Sequence, residues 1–217
     1  MQLFRSLSDS PAVNGAYEKY FLTSHPARDV LLFYINRPAV IVGRNQSIEA
    51  EVNLTYCQVH GIEIVRRISG GGAVYHDEGN INYAFIVQKN AIAALDRDFS
   101  TPILNALNAL HIHATVGKRK ELLINGLKIS GVASHITREK ILFHGTLLHR
   151  TNLTHLSEAL QGNTAMRGRN IASIPGNVVN ITDLTGGTET TVQFLDSMLD
   201  FLKIYYNTQT INILSDT

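Results

Sequence analysis

The chain has 217 residues, of which 44% are hydrophobic and 17% are charged, and its formal net charge is +1. This length suits one domain with a substantial core, and the balanced charge gives no reason to expect a nucleic-acid partner. The single cysteine, Cys57, excludes an internal disulfide and favours a reducing compartment. The N-terminal residues hold no apolar signal core, and no segment approaches the roughly 18 apolar residues of a membrane span. We therefore expect a soluble, cytoplasmic protein without a membrane partner.

The hydrophobic pattern predicts strands and helices in alternating groups. Strands are predicted at residues 2–6, 30–35, 39–42, 62–67, 73–75, 81–87, 121–124, 127–130 and 140–149, and helices at residues 12–23, 51–60, 98–110, 153–160 and 190–206. The first helix is expected to turn Ala16, Tyr20 and Leu22 inward. Asn125-Gly126 is the dipeptide typical of a two-residue hairpin turn. Strands that arrive in hairpins, with helices between the groups, favour an α+β fold. Residues 161–180 lack periodicity and are predicted to form a mobile loop.

The segment RRISGGGAVYHDEGN, at residues 66–80, is the most informative part of the chain. An ordered glycine costs backbone entropy, so the run Gly70–Gly72 beside a strand predicts a backbone that turns sharply and approaches a ligand closely. Arg66 and Arg67 add forked donors for phosphate or carboxylate. The alternative is a surface turn with solvated arginines. The segment is neither a Walker loop nor a dinucleotide fingerprint, since no G-x-x-x-x-G-K-S/T occurs and a strand-like run follows the glycines.

Three other segments complete a set of ordered motifs: VGRNQ at residues 42–46, LKISGVA at residues 127–133 and FHGTLL at residues 143–148. Together with the glycine segment they resemble the lipoate–protein ligase A family, within the wider biotin/lipoate ligase and octanoyltransferase group. The resemblance covers roughly residues 1–185. It implies a mixed, largely antiparallel sheet packed by helices, with the active site on one face of the sheet. It also implies a single catalytic domain over residues 1–217, without the C-terminal accessory domain of two-part ligases.

The resemblance implies a reaction in two steps. ATP and lipoate give lipoyl-AMP and pyrophosphate, and the lipoyl group then passes to a lysine of an acceptor domain. The expected acceptors are lipoyl domains of 2-oxoacid dehydrogenase complexes or the glycine cleavage H protein, and a separately encoded accessory domain is a further expected partner. A site that brings a carboxylate and ATP together must hold two anions, and so needs cations and N–H donors.

The family pattern assigns roles to individual residues. Lys128 matches the lysine that contacts both the acyl carboxylate and the α-phosphate, and is therefore the predicted catalytic residue; a solvated lysine at a sheet edge is the alternative. The predicted ATP-binding residues are Arg67, Gly72, Ala73, Val74, Tyr75 and Lys128. The predicted lipoate-binding residues are Ser69, Gly70, Gly71, Lys128 and His144. Other interpretations are a turn hydroxyl for Ser69, a half-buried strand aromatic for Tyr75 and a satisfied core histidine for His144.

Two segments depart from the family pattern. The sequence RKEL at residues 119–122 stands where the family carries an R-N-D-L element whose aspartate is linked to magnesium, and Glu121 is the predicted Mg²⁺ ligand in its place. The sequence SIPGNV at residues 173–178 stands where the family carries S-V-R-S-R-V, and has neither arginine. Adjacent residues on a strand point to opposite faces, so His76 and Asp77 are predicted to have structural roles rather than to form a catalytic or metal pair.

Two other functions stay open from the sequence. An acyltransferase of the same fold would move octanoyl or lipoyl groups between carrier proteins through a cysteine near the lysine motif. Here Cys57 lies far along the chain from Lys128, within a predicted helix, which favours a packing role. A non-catalytic protein that holds lipoate or its adenylate is the other alternative.

Overall fold

The computed structural model describes residues 1–24, 29–89, 98–174 and 176–215. The strands, in chain order, are β1 (Gln2–Ser6), β2 (Val30–Ile35), β3 (Ala39–Val42), β4 (Glu63–Arg66), β5 (Val74–His76), β6 (Asn80–Gln88), β7 (Thr115–Val116), β8 (Leu122–Ile124), β9 (Leu127–Lys128), β10 (Val132–Ile136), β11 (Lys140–Leu148) and β12 (Ile211–Leu214). The helices are α1 (Pro11–Thr23), α2 (Ile48–Glu51), α3 (Leu54–Val59), α4 (Ser100–Ala109), α5 (Leu153–Ala159), α6 (Ile181–Thr185) and α7 (Thr191–Tyr205), with a 3₁₀ turn at Thr164–Met166.

Six strands form the main sheet, in the order β10-β11-β6-β2-β1-β12. The ladders from β10 to β2 are antiparallel, and β1 pairs in parallel with β2 and β12. The central strand β6 is buried along nearly its whole length, because α4 and α7 cover one face of the sheet and α1 the other. The predicted mixed, largely antiparallel α+β fold is thus confirmed.

Two small sheets flank the main one. Strands β4-β3-β5 form the first and β7-β8-β9 the second. Strand β2 ends at Ile35 in the main sheet and β3 begins at Ala39 in the first small sheet, so these consecutive strands do not pair with each other. The hairpin predicted at Asn125-Gly126 is present: Leu123 pairs with Lys128. Asn125 has φ 51° and Gly126 has φ 79°, as a turn with two left-handed residues requires.

The structure corrects two local predictions. The helix expected over residues 51–60 is divided between α2 and α3, because the Asn53 side chain accepts a hydrogen bond from Tyr56 N at 3.1 Å and starts a new helix. In α1, Ala16 and Tyr20 are exposed, whereas Asn14 and Glu18 are buried. These polar residues tolerate burial because each has hydrogen-bond partners inside the protein.

The segment predicted as a mobile loop is linked to the rest of the fold. Val178 bridges Lys128 in parallel, and Lys128 N donates to Asn177 O at 2.8 Å. Strands β7, β10 and β12 and helix α6 were not predicted. Within the described ranges, no helix is both long and apolar enough to cross a membrane.

Candidate active site

A cavity of about 920 Å³ lies where the three sheets meet. The main sheet contributes residues of β2, β6, β10 and β11, the first small sheet residues of β3, β4 and β5, and the hairpin sheet Lys128. Helix α1, residues 171–174 and residues 176–177 contribute further parts of its lining. Of the predicted site residues, the lining includes Arg67, Gly71, Gly72, Ala73, Val74, Glu121, Lys128 and His144.

The loop that contains Gly70–Gly72, called the glycine loop below, wraps around the side chain of Arg67. Its guanidinium donates from Nε to Ser69 Oγ at 2.9 Å, from Nη1 to Ile41 O at 2.9 Å, and from Nη2 to the carbonyls of Gly70 and Gly72, both at 2.7 Å. Burial lowers the pKa of Arg67 to about 10, so the group stays charged at neutral pH. Four donors are thus engaged by the protein itself, and Arg67 holds the loop. Its contact with a nucleotide phosphate stays a prediction.

Close approaches explain the glycines at two positions of this loop. Gly71 has φ +89°, and a Cβ there would lie 3.0 Å from Nη2 of Arg67. A Cβ on Gly72 would lie 3.0 Å from Ser173 Oγ. A Cβ on Gly43 would lie 2.1 Å from the carbonyl oxygen of Gly71, so the VGRNQ motif needs glycine for the same reason. Gly70 has open space around it.

A buried polar chain runs from the glycine loop to α1. Ser69 Oγ lies 2.7 Å from Nε2 of His144, and Nδ1 of His144 lies 2.9 Å from a carboxylate oxygen of Glu18. Tyr34 donates its hydroxyl proton to Glu18 at 2.9 Å, and burial and the nearby carboxylate hold the pKa of Tyr34 well above its ordinary value. His144 is therefore both hydrogen-bonded and part of the cavity lining. Sequence reasoning missed Glu18 and Tyr34, which also line the cavity.

Three predicted residues do not line the cavity. Ser69 and Gly70 are not part of the cavity lining, and both accept hydrogen bonds from Arg67. The Tyr75 side chain packs in the core of the first small sheet, 2% exposed. Strand alternation explains this placement, since Val74 and His76 on either side face the cavity. The structure thus favours the interpretation of Tyr75 as a core aromatic.

Lys128 projects into the cavity from β9. Its Nζ lies 3.6 Å from the position that a Cβ on Gly131 would take, so the ammonium lies beside the backbone of Gly131. No other described residue is seen to form a hydrogen bond or ion pair with Nζ. Burial lowers the pKa of Lys128, and the carboxylate of Glu121 opposes that shift. Because β9 pairs with β8 and bridges Val178, Lys128 is not a solvated lysine at a free sheet edge.

Glu121 folds back over its own turn. Its Oε2 accepts from Arg119 N at 2.7 Å, and its side chain fills the space beside Gly117. Among the residues that the structure describes, no group of three or more His, Cys, Asp or Glu could hold a metal ion. Glu121 therefore offers one carboxylate at the cavity, and its role as a Mg²⁺ ligand stays a prediction.

His76 and Asp77 have the structural contacts expected from the strand alternation. Asp77 accepts hydrogen bonds from Gly79 N at 3.0 Å and from Asn152 N at 2.7 Å, and so anchors two loops. His76 Nδ1 lies 2.9 Å from Nδ2 of Asn36. Burial lowers the pKa of His76 to about 3, so its imidazole is neutral at physiological pH. His76 also lines the cavity wall.

Cys57 lies away from the cavity. Its side chain is 1% exposed and packs among apolar residues of α3 and the first small sheet. Burial raises the pKa of the thiol, which disfavours the thiolate that a nucleophile needs. The packing role predicted for Cys57 agrees with this environment.

Comparisons with known proteins agree with this architecture. The lipoyl protein ligase A/B catalytic domain family matches residues 10–203. The lipoate–protein ligase LplJ of Bacillus subtilis is 36% identical over 194 residues, which cover 88% of this chain and 59% of that protein. The human mitochondrial lipoyl amidotransferase LIPT1 is 41% identical over 190 residues, 83% of this chain and 50% of that protein. The chain belongs to the lipoyl protein ligase A/B catalytic domain family.

Solved structures share the fold over the full chain. A crystal structure of lipoate–protein ligase A bound with ATP superposes with a TM-score of 0.79 at 25% identity, covering 100% of this chain and 90% of the other. A bipartite lipoate–protein ligase from Thermoplasma acidophilum, described with its E2 lipoyl domain, has a TM-score of 0.79 at 25% identity, covering 100% and 88%. The chain spans only 59% and 50% of the two curated relatives named above.

Proposed function

We propose that this protein is an ATP-dependent lipoate–protein ligase. One observation carries the proposal: the ammonium of Lys128, with no described partner, faces the same cavity as the glycine loop held by Arg67. A carboxylate and a nucleotide phosphate repel each other, and a fixed cation between them lowers the cost of bringing them together. Relatives named for lipoate ligation, and a structural neighbour bound with ATP, support this assignment.

In the first step, a lipoate carboxylate oxygen attacks the α-phosphorus of ATP, the bond to pyrophosphate breaks, and lipoyl-AMP forms. In the second step, an acceptor lysine amine attacks the acyl carbon, AMP leaves, and the amine loses a proton. The charge of Lys128 stabilises the negative oxygens in both transition states. Magnesium held mainly by phosphates and water needs few protein carboxylates, and Glu121 would supply one. When bound, Mg²⁺ would neutralise phosphate charge.

The cavity also suits the acyl chain of lipoate. Apolar side chains, including Ile41, Val65 and Ile68, line one part of it, and a cavity of about 920 Å³ is large enough for an acyl-adenylate. We propose a lipoyl domain as the acceptor, because the bipartite Thermoplasma ligase is described together with an E2 lipoyl domain. The description of that ligase as bipartite also supports a separate accessory protein as a partner.

A second candidate is lipoyl transfer from a preformed activated donor without ATP. The similarity to LIPT1, which is named as a lipoyl amidotransferase, favours it. A route through a cysteine thioester is disfavoured, because Cys57 is buried outside the cavity lining.

The test is mass spectrometry of the purified protein with ATP, Mg²⁺, lipoate and an apo lipoyl domain, with and without an added accessory domain. We expect bound lipoyl-AMP and a lipoylated lysine. Lys128→Ala should slow adenylate formation by about 10²- to 10³-fold, the usual loss for one electrostatic stabiliser, whereas the surface variant Lys203→Ala should keep the full rate. Pyrophosphate release by Lys128→Ala at the unaltered rate would contradict the assignment. Transfer only from supplied lipoyl-AMP would favour the amidotransferase.

A further inference from the structure

Residues 171–174 lie against the glycine loop and bring Ser173 to the cavity wall. The backbone of this segment is held from the opposite side. Ile171 N donates to Asn45 O at 3.1 Å, and Ser173 N donates to Oε2 of Glu51 at 3.0 Å. The Glu51 carboxylate is buried and also accepts from Nε of Arg167 at 3.3 Å. The position of Ser173 is therefore fixed before any ligand binds.

The Ser173 hydroxyl accepts hydrogen bonds from both of its described partners. Its Oγ accepts from Ala73 N at 2.9 Å and from Nε2 of Gln46 at 3.0 Å. The orientation of the Gln46 amide is defined, because its Oε1 accepts from Gly43 N at 2.9 Å. Both partners of Ser173 are thus N–H donors. A serine hydroxyl offers two acceptor lone pairs and one proton, so both acceptor positions are filled.

The proton of this hydroxyl is left as a free donor at the cavity. It cannot point to Ala73 N or to the Gln46 amide nitrogen, since both donate to it, and no other described residue is seen to accept it. Gly176, three positions after Ser173, lies beside Lys128: a Cβ on Gly176 would lie 3.4 Å from Cδ of Lys128. The free O–H of Ser173 and the Lys128 ammonium line the same cavity.

We propose that Ser173 is a substrate-binding residue that donates its hydroxyl proton to an anionic oxygen of the substrate. The proposal rests on the proposed function, because the oxygen is either the carboxylate of the acid or a phosphate of the nucleotide. Ala73 N–H and the Gln46 amide polarise the hydroxyl by donating to it, which strengthens its own hydrogen bond. A bond to a charged acceptor is also stronger than one to a neutral group. A ligand would thus meet the Ser173 hydroxyl rather than the Ala73 N–H.

The test is calorimetric titration of the full chain with three probes: a non-hydrolysable ATP analogue with Mg²⁺, lipoate, and inorganic phosphate. Ser173→Ala should weaken binding of at least one probe about tenfold or more, as expected for loss of a hydrogen bond to a charged group. Ser173→Thr keeps the hydroxyl and should restore affinity. Asn170→Ala, an exposed change next to this segment, should not alter it. Loss for lipoate alone assigns the carboxylate, and loss for the ATP analogue alone assigns the phosphate.

Hydrogen exchange at the Ala73 amide separates binding from packing. The exchange rate of the Ala73 amide should rise in Ser173→Ala and return to its usual value in Ser173→Thr. This rate shows whether residues 171–174 still lie against the glycine loop. Unchanged or tighter binding by Ser173→Ala would overturn the proposal, as would a loss that Ser173→Thr fails to restore while the Ala73 amide is protected. If the unaltered protein binds none of the three probes, the proposed function fails and the inference fails with it. If the unaltered protein binds a probe and Ser173→Ala binds it with the same affinity, only the inference about Ser173 fails.

Discussion

The glycine loop gives a sharp comparison between neighbouring positions. An L-residue at position 71 would adopt φ +89°, and a left-handed backbone costs a non-glycine residue about 1–2 kcal/mol. Its Cβ would also press on Arg67, the residue that holds the loop. Gly70 has no atom within 4 Å of an added Cβ and no left-handed φ. Gly70→Ala should therefore stabilise by about 0.4–1 kcal/mol, because alanine restricts the unfolded chain.

Alanine restricts the unfolded chain equally in both variants, so that term cancels and Gly71→Ala should be less stable than Gly70→Ala by about 1–2 kcal/mol. Equilibrium urea unfolding of the two variants measures this difference. Titration with an ATP analogue measures whether the loop still binds nucleotide. We expect Gly71→Ala to lose nucleotide affinity and Gly70→Ala to keep it. Gly72→Ala should also lose affinity, because its Cβ would displace Ser173. Equal unfolding free energies and equal affinities at positions 70 and 71 would refute the reasoning that the loop geometry needs glycine.

Two further predictions concern buried side chains. Cys57→Ser should keep ATP-dependent acyl transfer and alkylating reagents should have little effect on the unaltered enzyme, because the thiol is buried away from the cavity; transfer that needs Cys57 but not ATP would establish the acyltransferase instead. The pKa of His76 is lowered to about 3, so between that value and the ordinary value near 6.5 the unfolded chain binds a proton that the folded protein does not, and stability falls as the pH drops. When the pH drops from 7 to 5, His76 should cost the unaltered protein about 2 kcal/mol of unfolding free energy, and His76→Asn should not suffer this loss. Urea unfolding at several pH values measures the difference. If the unfolding free energies of the two proteins change in parallel with pH, the prediction is contradicted.

The sequence predicted the parts of the fold that local signals define. The Asn125-Gly126 hairpin depends on adjacent residues, and helix α7 starts at a capping box formed by Thr190 and Gln193. Strand β12 escaped prediction because, among the described strands, it pairs with β1 alone, and β1 lies near the other end of the chain. In α1, Leu22 is buried as predicted, whereas Ala16 and Tyr20 were misjudged for a similar reason. Burial of Glu18 depends on Tyr34 and on His144, and no pattern within the helix itself announces such a partner.

The candidate site also contains residues that local motifs reveal and residues whose role depends on contacts distant in the chain. Lys128 and the glycine loop were found because each lies in a short motif whose residues act together. The Ser173 hydroxyl was not found, since its significance arises only when it meets Ala73, 100 positions earlier in the chain. The motif does not show that the Tyr75 side chain faces away from the cavity, and the predicted contact of the Tyr75 backbone with ATP stays a prediction. Alternation along β5 decides the direction of the side chain once Val74 and His76 are known to line the cavity.

The cavity at the junction of three sheets has a mechanical consequence. Among the described strands, each sheet has its own hydrogen-bond ladder. The sheets are joined by packing, by loops and by single hydrogen bonds such as the one between Ser69 and His144 and the one from Leu148 N to Ile129 O. A ligand that touches His144 on the main sheet, Val74 on the first small sheet and Lys128 on the hairpin would add a further link between them. Binding of substrate would thereby act as an additional crosslink between the three sheets, and release of product would remove it.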